Sequence, residues 1–261
     1  MKGVILAGGS GTRLHPLTKV ISKQLLPVFD KPMIYYPLTT LILAGVTEVL
    51  VITRSEDSGQ FRALLGDGSD FGIKIEYAIQ EKPAGLAQAP LIAENFLAGE
   101  GFCLILGDNF LYGSGLGRKL QNLQLFDGAS VFAYRVTNPS AYGVIELDSS
   151  NRPLTIEEKP SIPKSEYAIP GLYFFDNNIV EICSKLVPSP RGELEITDVL
   201  KEYLRREKLS VEILPLGTAW LDMGSFDSLL EAAEFVQIVQ NRQGIKIGDP
   251  LIAYESKFKS R

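Results

Sequence analysis
The chain has 261 residues, of which 45% are hydrophobic and 22% charged, and its formal net charge is −5. That balance suits a globular enzyme with a substantial core and argues against a nucleic-acid partner held by bulk positive charge. One histidine and two cysteines exclude a Cys/His zinc centre and leave only His15 as a base for a Ser-His-Asp triad, so any metal must be held by oxygen.

In chain order, residues 2–8 (KGVILAG) read as a buried strand closed by glycine. Residues 33–45 carry a helical apolar stripe that ends at Gly45, and residues 48–53 form the next strand. A helix closed by Gly66 follows at 58–68, then a strand at 73–79 and a helix at 85–99 in spite of Pro90. Residues 102–108 (FCLILGD) are the most apolar strand, with Cys103 inside the core, and 129–136 form another strand. This alternation predicts an α/β fold: a Rossmann-like three-layer α/β/α arrangement around a mainly parallel sheet, helices on both faces. From Tyr142 the texture changes. Residues 142–160 predict a hairpin around the turn at 148–152, and 167–176 a further strand. Two helices complete the pattern, at 196–208 capped by Thr197 and at 225–244 capped by Ser225.

Without an internal repeat or linker, residues 1–245 are expected to form a single domain with a hairpin-rich second half, and 246–261 a short C-terminal tail. No run approaches the roughly 18 apolar residues of a membrane span. The N-terminus lacks a charged region followed by an apolar one, so a mature cytoplasmic chain is expected.

In open parallel sheets ligands bind outside the carboxyl ends of the strands. Two polar features fall at such ends: the loop LAGGSGTRLHPLT from Leu6 to Thr18, and Gly107-Asp108-Asn109. Successive glycines let several N–H groups point into one concavity, and Arg13 can close on a phosphate with a bidentate fork. The loop is not a P-loop, because no lysine follows its glycines. Nor is it a dinucleotide fingerprint, because Leu14 stands where the third glycine belongs. Lys23 and Lys31 lie just downstream, and with Arg13 they would suit a triphosphate.

The same loop followed by SKQLLPVFDKPMIYYPL resembles the signature of the sugar-1-phosphate nucleotidyltransferases. QEKPAGLAQA, LILGDN, YGVIE, EEKP, GLYFFD, SPRGELEITD and AWLDMG follow in order and extend the resemblance over residues 3–245, toward the thymidylyltransferase branch. Met223 and Phe226 depart from that pattern where threonine and histidine are common, as does Ala84, where a polar residue is frequent. The resemblance implies a magnesium-dependent union of dTTP with glucose 1-phosphate, giving dTDP-glucose and pyrophosphate at the head of deoxysugar synthesis. Residues 1–135 would then be mainly the nucleotide half and 136–245 the sugar-phosphate half, in a chain that assembles as a homo-oligomer.

By the same resemblance, Leu6, Gly8, Gly9, Gly11, Thr12, Arg13, Lys23 and Gln24 surround the nucleotide. Gln80 would read the base edge, and Gly85 would let the base approach closely. Asp108 and Asp222 would hold Mg²⁺. Tyr142, Gly143, Glu158 and Tyr173 would contact the hexose, and Lys159 and Arg191 its phosphate. The catalytic set implied is Arg13, Lys23, Asp108, Lys159 and Arg191. The nucleophile is already an anion, so the work is alignment and charge neutralisation, and no general base is needed. A transferase that prefers UTP or is relaxed in nucleotide choice is one alternative. A non-catalytic subunit of the same fold that senses sugar nucleotides is the other. The presence of Arg13, Lys23, Asp108 and Asp222 favours catalysis.

Overall fold
The computed structural model describes residues 1–123 and 127–259. Strand β1 (Lys2–Ala7) opens the chain, and the two short strands β2 (Pro27–Val28) and β3 (Lys31–Pro32) pair before helix α1 (Tyr35–Leu43). Then come β4 (Glu48–Thr53), α2 (Ser58–Leu65), β5 (Lys74–Ile79), α3 (Gln88–Ile92), α4 (Glu94–Leu97), β6 (Phe102–Leu106), β7 (Asn109–Tyr112) and α5 (Leu116–Leu123). The second half holds β8 (Ala129–Arg135), β9 (Gly143–Leu147), β10 (Pro153–Glu158), β11 (Tyr167–Ala168), β12 (Leu172–Phe175) and α6 (Ile179–Ser184). It ends with α7 (Ile196–Arg205), β13 (Leu209–Ile213), β14 (Ala219–Asp222), α8 (Phe226–Gln243) and α9 (Pro250–Tyr254).

The central sheet runs β10-β9-β11-β8-β12-β6-β1-β4-β5, with β13 also paired to β8. Its β6-β1-β4-β5 side is parallel, as short apolar strands separated by helices require, and β12 enters antiparallel between β6 and β8. Alternate side chains on these strands point to opposite faces. Ile5, Val49, Val51, Cys103 and Ile105 pack with α1, α2 and α5, whereas Val4, Leu50, Ile52, Phe102 and Leu104 pack with α3, α6 and α7. Both faces are therefore covered, which is why these strands read as nearly continuous apolar runs. A third cluster joins the β7–β14 pair to α8 through Phe110, Met223, Ala232 and Val236. The tail segment α9 packs on α1, with Ala253 buried in the first cluster.

Three local expectations are revised. The helix expected at 85–99 begins only at Gln88 and breaks at Ala93 into α3 and α4. Pro90 lies in the first turn of α3, where its missing N–H costs nothing. The single strand expected at 167–176 is two. Pro170 cannot donate to a ladder, and the chain steps there from the β8–β9 side to the slot between β6 and β8. Thr197 does not cap α7: Glu195 holds the cap position without a side-chain cap bond, and Thr197 lies buried in the first turn. Strands β7 and β13 and helices α5 and α6 were not expected, although in α5 the buried Leu116, Leu120 and Leu123 recur at helical spacing.

Ser225 does cap α8. Its side chain and that of Ser228 each accept from the other's backbone N–H, a reciprocal capping box. Ser225→Ala is expected to lower stability by about 1 kcal/mol, read as a lowered urea midpoint with an unchanged slope.

Candidate active site
The carboxyl ends of β1 and β6 open onto a cleft of about 270 Å³. Strand β6 is buried nearly throughout, so the first polar side chain after it, Asp108, emerges at the mouth of the sheet, 6% exposed. Lys23, from a short 3-10 turn, forms a salt bridge with it. Asn109 Nδ2 donates a second bond to the Asp108 carboxylate at 3.1 Å. Burial pushes the Asp108 carboxyl up, but the charge and hydrogen bond of Lys23 outweigh it, and the group stays below its ordinary range. Asp222, at the end of β14, lines the same wall. Burial first, and then the like charge of Asp108, push its carboxyl up to about 6. Arg13 stands beside it: a Cβ on Gly224 would lie 2.7 Å from Arg13 Nη2 and 3.1 Å from Asp222 Oδ1.

The opposite wall comes from the second half of the chain. Tyr142 and Gly143 lead into β9, and Glu158 ends β10 beside them. Burial raises the Glu158 carboxyl, against the nearby positive charge of Lys159. Lys159 has left-handed backbone, φ 42°, and its N–H donates to the Tyr142 carbonyl at 3.0 Å, which turns the residue out of the strand at the cleft's rim. Arg191 reaches in from the loop before α7. Its Nε and Nη2 bond Glu195 at 3.1 and 3.0 Å, and Nη2 also lies 3.1 Å from Glu193 and 3.6 Å from Glu158. Tyr173, on β12, floors this half, its hydroxyl pushed upward by burial.

Of the residues expected from sequence, Leu6, Gly9, Arg13, Lys23, Gln24, Asp108, Tyr142, Gly143, Glu158, Lys159, Tyr173, Arg191 and Asp222 line this one cleft. Gly8, Gly11, Thr12, Gln80 and Gly85 do not. Gly11 and Thr12 form the tight turn that carries Arg13, with Leu14 N–H donating to the Gly11 carbonyl at 2.9 Å. Gly8 faces Gln80, whose amide oxygen would stand only 2.2 Å from a Cβ there, so no larger residue fits without moving that amide. Gly85, with φ +105°, meets the backbone of Leu194: a Cβ would lie 2.4 Å from its carbonyl oxygen. The close approach it permits is thus to the chain itself. Lys31 leaves the triphosphate group expected of it, because it pairs with Asp30, donates to Gln240 at 3.1 Å and lies over the Tyr36 ring. His15 is exposed and outside the cleft.

A family model described as "Nucleotidyl transferase" matches residues 2–238. The chain belongs to the nucleotidyltransferase family. It is 57% identical to a glucose-1-phosphate thymidylyltransferase of Mycolicibacterium smegmatis, over 99% of this chain and 90% of that one. It is also 57% identical to the glucose-1-phosphate thymidylyltransferase of Neisseria meningitidis, over 95% and 86%. Among solved structures it superposes with a TM-score of 0.85 on one described as a glucose-1-phosphate thymidylyltransferase from Bacillus anthracis in complex with sucrose, at 36% identity over 97% and 99% of the two chains. A UDP-glucose pyrophosphorylase complexed with UDP-glucose superposes at 0.80, with 26% identity over 91% and 98%.

In this nucleotidyltransferase the cleft also depends on residues to which the sequence assigned no role in the site. Asn109 Oδ1 accepts from the Gly171 N–H at 3.0 Å and from Trp220 Nε1 at 2.7 Å, so one buried amide ties three segments together behind Asp108. Trp220 in turn packs against Tyr142 and Tyr134. Trp220, Thr197 and Leu86 also line the cleft. Only the contacts, which cross 62 and 111 positions of sequence, reveal the role of Asn109.

Asn109→Ala leaves one buried and one partly buried donor without an acceptor, at an expected cost of about 1–3 kcal/mol. Trp220 is the single tryptophan, so a shifted intrinsic emission maximum together with a lowered denaturation midpoint is the expected result.

Proposed function
We propose that this chain joins dTTP and α-D-glucose 1-phosphate to form dTDP-glucose and pyrophosphate. The observation that carries the proposal is the division of one cleft. Arg13, Lys23 and two neighbouring carboxylates form one wall, and Glu158, Lys159 and Arg191 form the other. Residues 1–135 then serve mainly the nucleotide and 136–245 mainly the sugar phosphate.

An oxygen of the sugar phosphate forms a bond to the α-phosphorus, the bond from that phosphorus to the bridging oxygen breaks, and pyrophosphate leaves with the electron pair. The attacking oxygen is already anionic, so the site needs no base, in keeping with an exposed His15 outside the cleft. The residues must overcome the repulsion between two polyanions and hold them in line, and alignment of this kind is worth up to about 7–11 kcal/mol. Lys159 and Arg191 draw the sugar phosphate to one wall, and Lys23 and Arg13 hold the triphosphate at the other. Glu158, a half-buried acceptor, suits sugar hydroxyls. Gln80, able to donate and accept, suits the imide edge of thymine and equally that of uracil.

Asp108 and Asp222 suit a hard cation. They are oxygen donors close enough for one to raise the other's pKa, and no cluster of three His, Cys, Asp or Glu occurs among the described residues. Such a pair matches magnesium, which takes one or two carboxylates and completes its shell with water and substrate phosphate. Bound there, Mg²⁺ would supply charge neutralisation and orientation of the phosphate oxygens.

No helix among the described residues is long and apolar enough to cross a membrane. We place the chain in the cytoplasm, where nucleoside triphosphates and sugar phosphates are made, and we infer a homo-oligomer from the exposed Phe226, Leu230 and Ile238 of α8.

Purified protein with Mg²⁺, glucose 1-phosphate and dTTP is expected to release pyrophosphate, and EDTA to stop the release until Mg²⁺ is restored. Parallel assays with UTP, CTP, GTP and ATP rank the bases, and silence with every pair would end the enzyme reading. Asp108→Asn is nearly isosteric and is expected to lower turnover by about 10²–10³-fold, with retained far-ultraviolet circular dichroism. Near-normal turnover would remove Asp108 from the metal-holding pair.

A further inference from the structure
Gln80 follows β5 directly and is 4% exposed, and its Nε2 donates to Gln88 Oε1 at 2.7 Å. A side-chain amide can be turned over, so this bond alone does not say which end of Gln80 is the acceptor. The backbone does. The N–H of Ala84, which can only donate, is shared between the Lys82 carbonyl at 2.8 Å and Gln88 Oε1 at 3.3 Å. An NH2 group placed there by Gln88 would confront an N–H, so the Gln88 oxygen must occupy that point. The same oxygen takes the Gln80 NH2 group. The Gln80 oxygen is left on the far side, against Gly8 of the glycine loop, and meets no protein donor among the described residues. An acceptor that no protein donor occupies, on an otherwise buried side chain, is open to a donor from a ligand.

We propose that Gln88 is a positioning residue for nucleobase selectivity. Through the chain from Ala84 N–H to Gln88 to Gln80, it holds the Gln80 amide with its acceptor toward the glycine loop. The inference rests on the reading of Gln80 as the base-contacting residue. An acceptor fixed at that point pairs with a base that offers a ring N–H, as the imides thymine and uracil do. It opposes cytosine, whose corresponding ring nitrogen is itself an acceptor. Freed from Gln88, the Gln80 amide can turn over and satisfy either base. Discrimination between the two therefore belongs to the pair of glutamines, even though only one of them would touch the base.

The test is the ratio of kcat/KM for dTTP over dCTP, each with glucose 1-phosphate and Mg²⁺, in the full chain and three variants. Because it is a ratio, the fraction of properly folded enzyme cancels. Gln88→Leu is expected to lower it by about tenfold or more, as expected when a hydrogen-bonding site loses its fixed polarity. Gln88→Glu keeps an acceptor for both Ala84 N–H and Gln80 Nε2 and is expected to hold the ratio within about threefold of the parent. Gln80→Leu should abolish the preference. If Gln80→Leu lowers the ratio while Gln88→Leu leaves it unchanged, Gln88 has no positioning role and the base-reading assignment stands. If Gln88→Glu falls as far as Gln88→Leu, the acceptor argument is overturned. An unchanged ratio in Gln80→Leu overturns the assignment on which the inference rests.

Discussion
The salt bridge between Lys23 and Asp108 is the constraint on which the site depends. Either charge alone, buried at the end of β6, would carry a desolvation penalty of several kcal/mol, and pairing removes most of the reason for either to leave. The pair pins the irregular segment after the glycine loop to the central sheet, because Lys23 belongs to that segment and Asp108 to the strand end. It also sets the charge state of the neighbourhood. Burial, and then the repulsion of the ionised Asp108, raise the Asp222 carboxyl to about 6. Two carboxylates in that relation form a site that a divalent cation relieves, which ties the electrostatics of the free chain to the chemistry proposed for it.

Behind this pair stands Asn109. Its side-chain oxygen takes both the Gly171 N–H and the Trp220 indole N–H, and its amide nitrogen supports Asp108. Gly171 lies in the step between β11 and β12, and Trp220 in β14. One buried amide therefore joins the end of β6 to the β11–β12 step and to β14, both of which line the cleft. A network of this kind is valuable when complete and costly when broken. The Gln80–Gln88 pair follows the same logic, with a backbone N–H deciding the polarity of two side chains.

The opposite wall is arranged differently. Arg191 is held by Glu195, a buried carboxylate that also accepts from Ser189, while its bonds to Glu193 and its approach to Glu158 lie nearer the open cleft. A guanidinium has donors enough to keep its bond to Glu195 and still meet a phosphate. The acidic neighbours compensate the charge of Arg191 in the free chain without taking up all of its donors.

Much of this was legible in the linear sequence because it rests on local rules. Apolar runs of four or five residues, bounded by glycine in β1 and β6, gave the strands β1, β4 and β6, and Ser225 ahead of an apolar helical stripe gave the start of α8. Successive glycines before Arg13 pointed to an anion, and the lone histidine argued against a Ser-His-Asp triad. Order along the chain could not say that Lys23 meets Asp108 across 85 positions, that Lys31 turns away to Asp30 and Gln240, or that Gly85 is small for the sake of Leu194. It also could not break the strand at Pro170 or divide the helix at Ala93, because both depend on which neighbouring strand or helix receives the chain. Composition and periodicity determine which faces are buried. Which polar groups end up facing one another at the open end of the sheet is decided only when the packed core fixes the strand ends in space.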